Sequence, residues 1–278
     1  MKIRFLGTGA AEGVPAVFCN CKICGLVRKL GEAEFRTRAQ VLIDGCLSVD
    51  FPPDAYAHSL KYGINLGEVR YILATHSHMD HFYAHDFILR GYKYASLSGE
   101  RLEIYGNAEV GKVYSECTAR EMKPEVAPNI NFTEIKPYQS FSFGGYNVLT
   151  LPANHSKVED ALLYYIEKDG KSYLHFYDTG RLRDGAVDHL AERGARADAV
   201  CFDCTFIEQT GGFNARHMGI EDVMYMKDKL SGLGIIDERT KIIISHFSHN
   251  SNPTRQHLND IETKYGVTAA YDGMVVEI

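Results

Sequence analysis

Short apolar runs separated by turn residues recur from end to end of this chain, and most have the length of a strand rather than of a helix. Met1 to Leu6 reads as a strand running into a glycine turn at Gly7. Val41-Leu42-Ile43, then Asp44-Gly45, then Cys46 to Asp50 is a hairpin pattern, because Asp-Gly accepts the positive φ angles of a tight primed turn. Tyr71 to Thr75 reads as a buried strand. Further strands are predicted at 102–105, 131–135, 140–143, 146–151, 161–167, 172–177, 198–203, 241–245 and 268–277. Helices are predicted from Pro53 to Tyr62, over 81–90, and at 108–122, 184–193, 219–232 and 254–264. Both element types recur in each half, which makes a layered α/β protein. No Ser/Pro/Gly-rich linker or internal repeat divides the chain, so residues 1–278 are predicted to form a single domain.

Directly after the apolar run Tyr71 to Ala74 comes Thr75-His76-Ser77-His78-Met79-Asp80-His81. His76, His78, Asp80 and His81 are spaced by two, two and one, so no single face of a helix or strand presents all four. They converge only if a loop at a strand end curls around a common centre. Imidazoles with a carboxylate suit zinc, iron or manganese. His85, four residues after His81, falls one helical turn on and is a candidate support for these ligands.

The His-x-His-x-Asp-His string resembles the signature of the metallo-β-lactamase superfamily, and the resemblance asks for partners later in the chain. His155 follows the strand ending at Leu151, Asp178 follows Phe176-Tyr177, and His246 follows Lys241 to Ser245. What the family likeness implies is a dinuclear site. His76, His78 and His155 would hold one metal, Asp80, His81 and His246 the other, and Asp178 would bridge them. Asp50, closing the strand from Cys46, matches an acidic residue the family uses to support a ligand. The fold implied is an αββα sandwich of two mixed sheets with helices outside.

Composition narrows the field further. The chain has 278 residues, 45% of them hydrophobic, and a formal net charge of -6 without basic blocks. A nucleic-acid binder usually carries a positive stripe, so large nucleic acids are disfavoured as partners. No apolar stretch reaches the length of a membrane span, and the first residues lack the apolar core of a signal peptide, so a cytoplasmic location is expected. Three of seven cysteines sit in Cys19-Asn20-Cys21-Lys22-Ile23-Cys24, a loop by this reading, with the spacing of a structural zinc site rather than of disulfides. Tetrahedral zinc needs a fourth ligand, for which His249, three residues beyond His246, is the candidate. Cys46, Cys117, Cys201 and Cys204 read as small core residues.

Two neighbouring divalent metals can activate water near neutral pH and polarise an ester oxygen, so hydrolysis is the natural reaction class. A phosphodiester has a poor leaving group and calls for an acid opposite the nucleophile. His217, in the loop Asn214-Ala215-Arg216-His217-Met218-Gly219, is the candidate. Here the chain resembles the PhnP-like cyclic phosphodiesterases. The shared segments are Gly7-Thr8-Gly9 with Gly13 to Ala16, the cysteine run, Asn154 to Lys157, Asp203-Cys204, His217, the His246 and His249 pair, and Asp272 to Met274. That resemblance implies catalytic roles for Asp80 and His217, a structural zinc on Cys19, Cys21, Cys24 and His249, a small anionic phosphate-ester substrate and a homodimer. Lys157, Arg181 and Arg216 are candidate phosphate clamps. Competing expectations on the same metals are a lactone or thioester hydrolase, a tRNA 3′-processing nuclease, and a non-catalytic metal-binding protein of quinone-cofactor biosynthesis. The segment 92–140 departs from the PhnP-like pattern and leaves the substrate open.

Overall fold

The computed structural model describes residues 1–97, 99–212 and 214–278. Two seven-stranded mixed sheets lie face to face. The first holds β1 (Lys2–Gly7), β2 (Gln40–Ile43), β3 (Leu47–Val49), β4 (Tyr71–Leu73), β5 (Leu102–Gly106), β6 (Ile130–Glu134) and β14 (Val275–Glu277). Their order is β14-β1-β2-β3-β4-β5-β6. The second holds β7 (Ser140–Phe143), β8 (Tyr146–Pro152), β9 (Leu162–Lys168), β10 (Lys171–Phe176), β11 (Ala199–Asp203), β12 (Lys241–Ser245) and β13 (Thr268–Ala269), ordered β13-β12-β11-β10-β9-β8-β7. In each sheet one run of strands is antiparallel and the other parallel. The Asp44-Gly45 hairpin forms between β2 and β3 with positive φ at both turn residues, as the dipeptide predicts.

Alternation along the strands builds three apolar layers. Ile3, Phe5, Val41 and Val49 of the first sheet meet Val148, Tyr164, Tyr173 and Ile243 of the second in the central core. Leu42, Ile72 and Ile104 point the other way, toward α2 (Ala55–Tyr62) and α3 (Ala108–Thr118). Leu163, Leu174, Val200 and Phe202 face α4 (Asp184–Glu192), α5 (Ile220–Gly232) and α6 (Arg255–Tyr265). Such a stack is the αββα sandwich. No helix among the described residues is long and apolar enough to cross a membrane.

Several local expectations need correction. The cysteine run is not all loop: Cys21 caps α1 (Lys22–Leu30), its side chain accepting from the Cys24 amide, and Cys24 and Val27 are the helix's buried face. Residues 81–90 do not form an α-helix. Tyr83 is hydrogen-bonded to Phe51, which holds the chain extended until a short 3-10 turn at Ala84–Leu89. His85, a candidate support, is exposed, its ring tilted against Tyr83, and it makes no hydrogen bond to a candidate ligand among the described residues. Residues 268–277 make two strands in different sheets, because the Asp272 carboxylate binds Thr8 Oγ1, the Thr37 amide and Thr37 Oγ1 and turns the chain at Gly273. Of the remaining cysteines, Cys201 and Cys204 are buried as expected, whereas Cys46 and Cys117 are only half-buried.

Candidate metal centre

The strand ends supply the site. His76 to His81 follow β4, His155 follows β8, Asp178 follows β10 and His246 follows β12. Asp50, Asp178 and His246, each just past a strand end, have φ of 64°, 46° and 65°. Left-handed backbone costs a non-glycine residue about 1–2 kcal/mol, and here it turns three strand ends into one cleft.

Two clusters bring the expected ligands together: His76, His78, His155 and Asp178 form one, and Asp80, His81, His246 and Asp178 the other. Asp178 belongs to both, and with His246 it also groups with Asp203 and His217. Its Oδ2 lies 3.3 Å from His76 Nε2, 3.5 Å from His155 Nε2 and 3.1 Å from His81 Nε2, while Oδ1 lies 2.8 Å from His246 Nε2. His76 Nε2 and His78 Nδ1 are 2.8 Å apart, His155 Nε2 and His78 Nδ1 3.3 Å, and Asp80 Oδ2 lies 3.2 Å from His81 Nε2. Ligand atoms about 2.0–2.1 Å from a tetrahedral ion are separated by ~3.3 Å along each edge, so these spacings are those of a coordination shell.

The hydrogen bonds behind the rings decide which nitrogens face the cleft. His81 Nδ1 donates to Asp50 Oδ2 at 2.6 Å. Thr75 Oγ1 donates to Asp50 at 2.9 Å and therefore accepts from His76 Nδ1 at 3.0 Å. Thr205 Oγ1 donates to the His246 carbonyl and accepts from His246 Nδ1 at 2.8 Å, and His155 Nδ1 points at the Arg216 carbonyl. With Nδ1 protonated, each of these rings presents a bare Nε2 lone pair to the cleft. His81 Nε2, His246 Nε2 and Asp178 Oδ1 are buried without a hydrogen-bond partner. Orphaned polar atoms cost about 1–3 kcal/mol each, so a donor set with converging lone pairs fits a divalent cation. Burial holds the His155 imidazole down to about 4 and lowers His78 as well, keeping both neutral.

His217 stands beside the clusters on the loop before α5. Its Nδ1 lies 2.9 Å from Asp203 Oδ2 and 3.7 Å from Asp178 Oδ1. Burial pulls this imidazole down, but the Asp203 carboxylate outweighs it and pushes the ring up to about 9. Lys157 and Arg216 are exposed. Arg181, expected as a clamp, is committed elsewhere: its Nε donates to buried Asp222 at 2.7 Å and its guanidinium lies over the Tyr225 ring. A further cluster joins Cys19, Cys21, Cys24 and His249. His249 Nδ1 is 3.5 Å from Cys21 Sγ and 3.4 Å from Cys24 Sγ, close to the ~3.6 Å edge between sulfur and nitrogen ligands of tetrahedral zinc. The Cys24 amide and His249 lower the Cys21 thiol to about 6, whereas burial raises Cys24 to about 11.

A beta-lactamase superfamily domain model matches residues 39–246, more than half of the chain. The chain belongs to the metallo-β-lactamase superfamily. Solved structures with the superfamily's fold include Zn(2+)-bound PqqB from Methylobacterium extorquens, 19% identical with a TM-score of 0.77 over 100% of both chains. A diphosphatase of the PhnP family is 20% identical with a TM-score of 0.75, over 100% of this chain and 98% of that one. Human short-form tRNase Z is 19% identical with a TM-score of 0.69, over 100% and 99%. Among curated proteins, an octanoyltransferase of Porphyromonas gingivalis is 34% identical over 85 residues, which span 29% of this chain and only 16% of that protein.

Some residues of this metallo-β-lactamase site are marked weakly in the sequence or not at all. Asp203, which also accepts from the Thr205 and Met218 amides, is marked by the shared Asp203-Cys204 segment and its place at the end of a strand, neither of which says that it pairs with His217. Thr75 and Thr205 are chosen by their neighbours' rings, which a linear reading does not bring together.

Proposed function

We propose that the protein is a dinuclear metal-dependent hydrolase that cleaves a small or cyclic sugar- or nucleotide-like phosphate diester. In this reading His76, His78 and His155 hold one divalent metal, Asp80, His81 and His246 hold a second, and Asp178 touches both; zinc, manganese and iron all suit these ligands. A structural zinc sits on Cys19, Cys21, Cys24 and His249. The observation that carries the reading is the shared carboxylate of Asp178: Oδ2 lies beside His76 and His155 of the first cluster and His81 of the second, Oδ1 beside His246 of the second, with bare Nε2 lone pairs around it.

Divalent cations held there would supply an activated water and polarise the ester oxygen. The chain's own residues do the rest. Asp80 orients the attacking water, and Asp203 holds His217 by Nδ1 so that Nε2 delivers a proton to the departing oxygen. A general acid of this kind contributes about 10²- to 10⁴-fold. Lys157 and Arg216, exposed and without an ion pair among the described residues, are free to meet an anionic substrate. The relatedness of the fold to a diphosphatase and a tRNase Z supports phosphoryl chemistry, and the absence of basic blocks at a net charge of -6 favours a small substrate.

The test is hydrolysis of bis(4-nitrophenyl) phosphate by metal-loaded protein beside His217→Ala, with an octanoyl thioester assayed in parallel. Turnover of the diester that collapses in the variant is the expected result. Thioester turnover indifferent to His217, with no diester cleavage, would replace the reading with acyl-ester hydrolysis.

A further inference from the structure

Three of the four rings that line the centre with Nε2 sit on backbone turns, and their Nδ1 atoms are fixed by Asp50, Thr75 and Thr205. His78 is different. It faces the first cluster with Nδ1, and among the described residues nothing hydrogen-bonds its Nε2. Its aim depends on the backbone of the turn His76-Ser77-His78. That turn is held by Glu159: Oε2 accepts from the Ser77 amide at 3.0 Å and Oε1 from Ser77 Oγ at 2.8 Å.

Glu159 belongs to the loop between β8 and β9 that also carries His155. Ser156 Oγ accepts from the Val158 and Glu159 amides, which fixes the glutamate relative to His155. Asn107, buried at the start of α3, donates from Nδ2 to Glu159 Oε2 at 2.9 Å and to the Asp160 carbonyl at 3.0 Å, while its Oδ1 caps the helix at Val110. One carboxylate therefore ties the loop bearing His76 and His78 to the loop bearing His155, and anchors both on a helix cap.

We infer that Glu159 is a positioning residue that sets the first cluster of histidines in register through Ser77, without touching the centre itself. The inference rests on the metal-binding reading above, and it concerns one of the two clusters only. In the other cluster His81 and His246 have their own supports, Asp50 and Thr205, and do not depend on it.

The hydrogen bonds accepted by Glu159 also show which replacement should succeed. A glutamine can donate to Ser77 Oγ from the Oε1 position and still accept from Ser77 N and Asn107 at the other, so it keeps the brace and loses only the charge. Alanine loses both. In a chelator-competition titration with zinc, Glu159→Ala should bind one of the two histidine-site metals about 10- to 100-fold more weakly, the usual cost of removing a ligand's outer support, with the other and the cysteine site unchanged. Glu159→Gln should stay within about threefold of wild type, and Ser77→Ala, which deletes the hydroxyl arm alone, should fall between them. In the metal-free protein, amide exchange measured by NMR should show Ser77 losing protection in Glu159→Ala and keeping it in Glu159→Gln. Wild-type affinity in Glu159→Ala, or in Ser77→Ala should the alanine variant not fold, would overturn the brace, as would a Ser77 amide indifferent to Glu159. A wild-type protein that takes up no metal at the histidines while Ser77 still responds to Glu159 would leave the brace standing and remove the metal reading instead.

Discussion

His217 Nδ1 lies 2.9 Å from Asp203 Oδ2, and Asp203 is fully buried, so the proton on that edge of the ring is held in place and the other edge is left for chemistry. Burial alone would lower the imidazole, yet the carboxylate raises it to about 9. The folded value lies above that of an unfolded histidine, so the ion pair stabilises the fold fully below about pH 6.5 and is lost as pH rises through about 9. Acid competence follows the same sign. Asp203→Asn presents an N–H toward Nδ1 and favours the neutral ring. The alkaline limb of kcat/KM should then move down toward about pH 7, with a loss of roughly 10- to 100-fold at pH 8. A pH profile of phosphodiester cleavage with the same alkaline limb in both proteins would exclude the pairing from catalysis.

Because Asp178 is shared, its removal should empty both histidine clusters together rather than one. Metal-reconstituted wild-type protein should contain about three ions per chain, one for each cluster of ligands, and Asp178→Ala about one. Cys24→Ser should show the complement, losing the ion at the cysteine cluster and retaining about two. It should also melt lower, since Cys24 is fully buried and accepts from the Ala16 amide. Elemental analysis of the three proteins after dialysis distinguishes these cases. A half-emptied histidine site in Asp178→Ala would mean that the carboxylate serves only one metal.

The candidate ligands that the fold brings together were legible in the sequence because a strand-end loop compresses four of them into six positions, and a carboxylate and two more histidines follow later strands at the same kind of place. Of their supports, Asp50 was legible and Asp203 only as part of a shared segment. Thr75, Thr205 and Glu159 are ordinary polar residues until the fold brings a histidine ring or a backbone amide to them. The strands were readable where short apolar runs end at turn or polar residues, as in β8 to β12, which are buried along most of their length. Readings failed where a side chain overrules local pattern, as Asp272 does in turning the chain between β13 and β14, and where a short helix such as α1 starts on a metal-type cysteine that looks like part of a loop. Arg181 shows the same limit, since only the buried Asp222 reveals that its charge is already matched.

His58 carries a pH dependence unrelated to the metals. It is 1% exposed, with Nδ1 2.7 Å from Gln40 Oε1 and Nε2 2.7 Å from Thr37 Oγ1, and burial depresses its pKa to about 4. An unfolded histidine takes a proton near pH 6.5, so between about 6.5 and 4 the unfolded chain binds more protons than the folded one. Stability should therefore fall as pH drops through this window, by about 3 kcal/mol from this residue when the window is crossed. Urea midpoints measured from pH 7 to pH 4.5 should show a shallower decline in His58→Gln than in wild type. Parallel curves would place the acid sensitivity elsewhere, with buried His175 as the next group to test.

Gly180 tests whether the His217 loop must sit where it does. The glycine follows Asp178 and Thr179, its amide donates to the Asn154 carbonyl, and a Cβ at this position would fall on the carbonyl oxygen of Ala215. That carbonyl accepts from Asn154 Nδ2 at 3.2 Å and lies two residues before His217. A methyl group cannot be absorbed by a flexible side chain here, because the atom it meets is backbone. Gly180→Ala should lower stability by about 1–3 kcal/mol, the usual cost of overpacking. By pushing Ala215 away it should also displace His217, and a shift of about 1 Å in an acid costs roughly 10²-fold in rate. Metal content should be largely kept, since His76, His81 and His246 are held by Thr75, Asp50 and Thr205, and His155 leans on this loop through the Arg216 carbonyl alone. The measurement is kcat for the diester alongside metal analysis and thermal melting of the same preparation. A stable, metal-replete Gly180→Ala with wild-type kcat would show that the proton reaches the leaving group from somewhere other than His217.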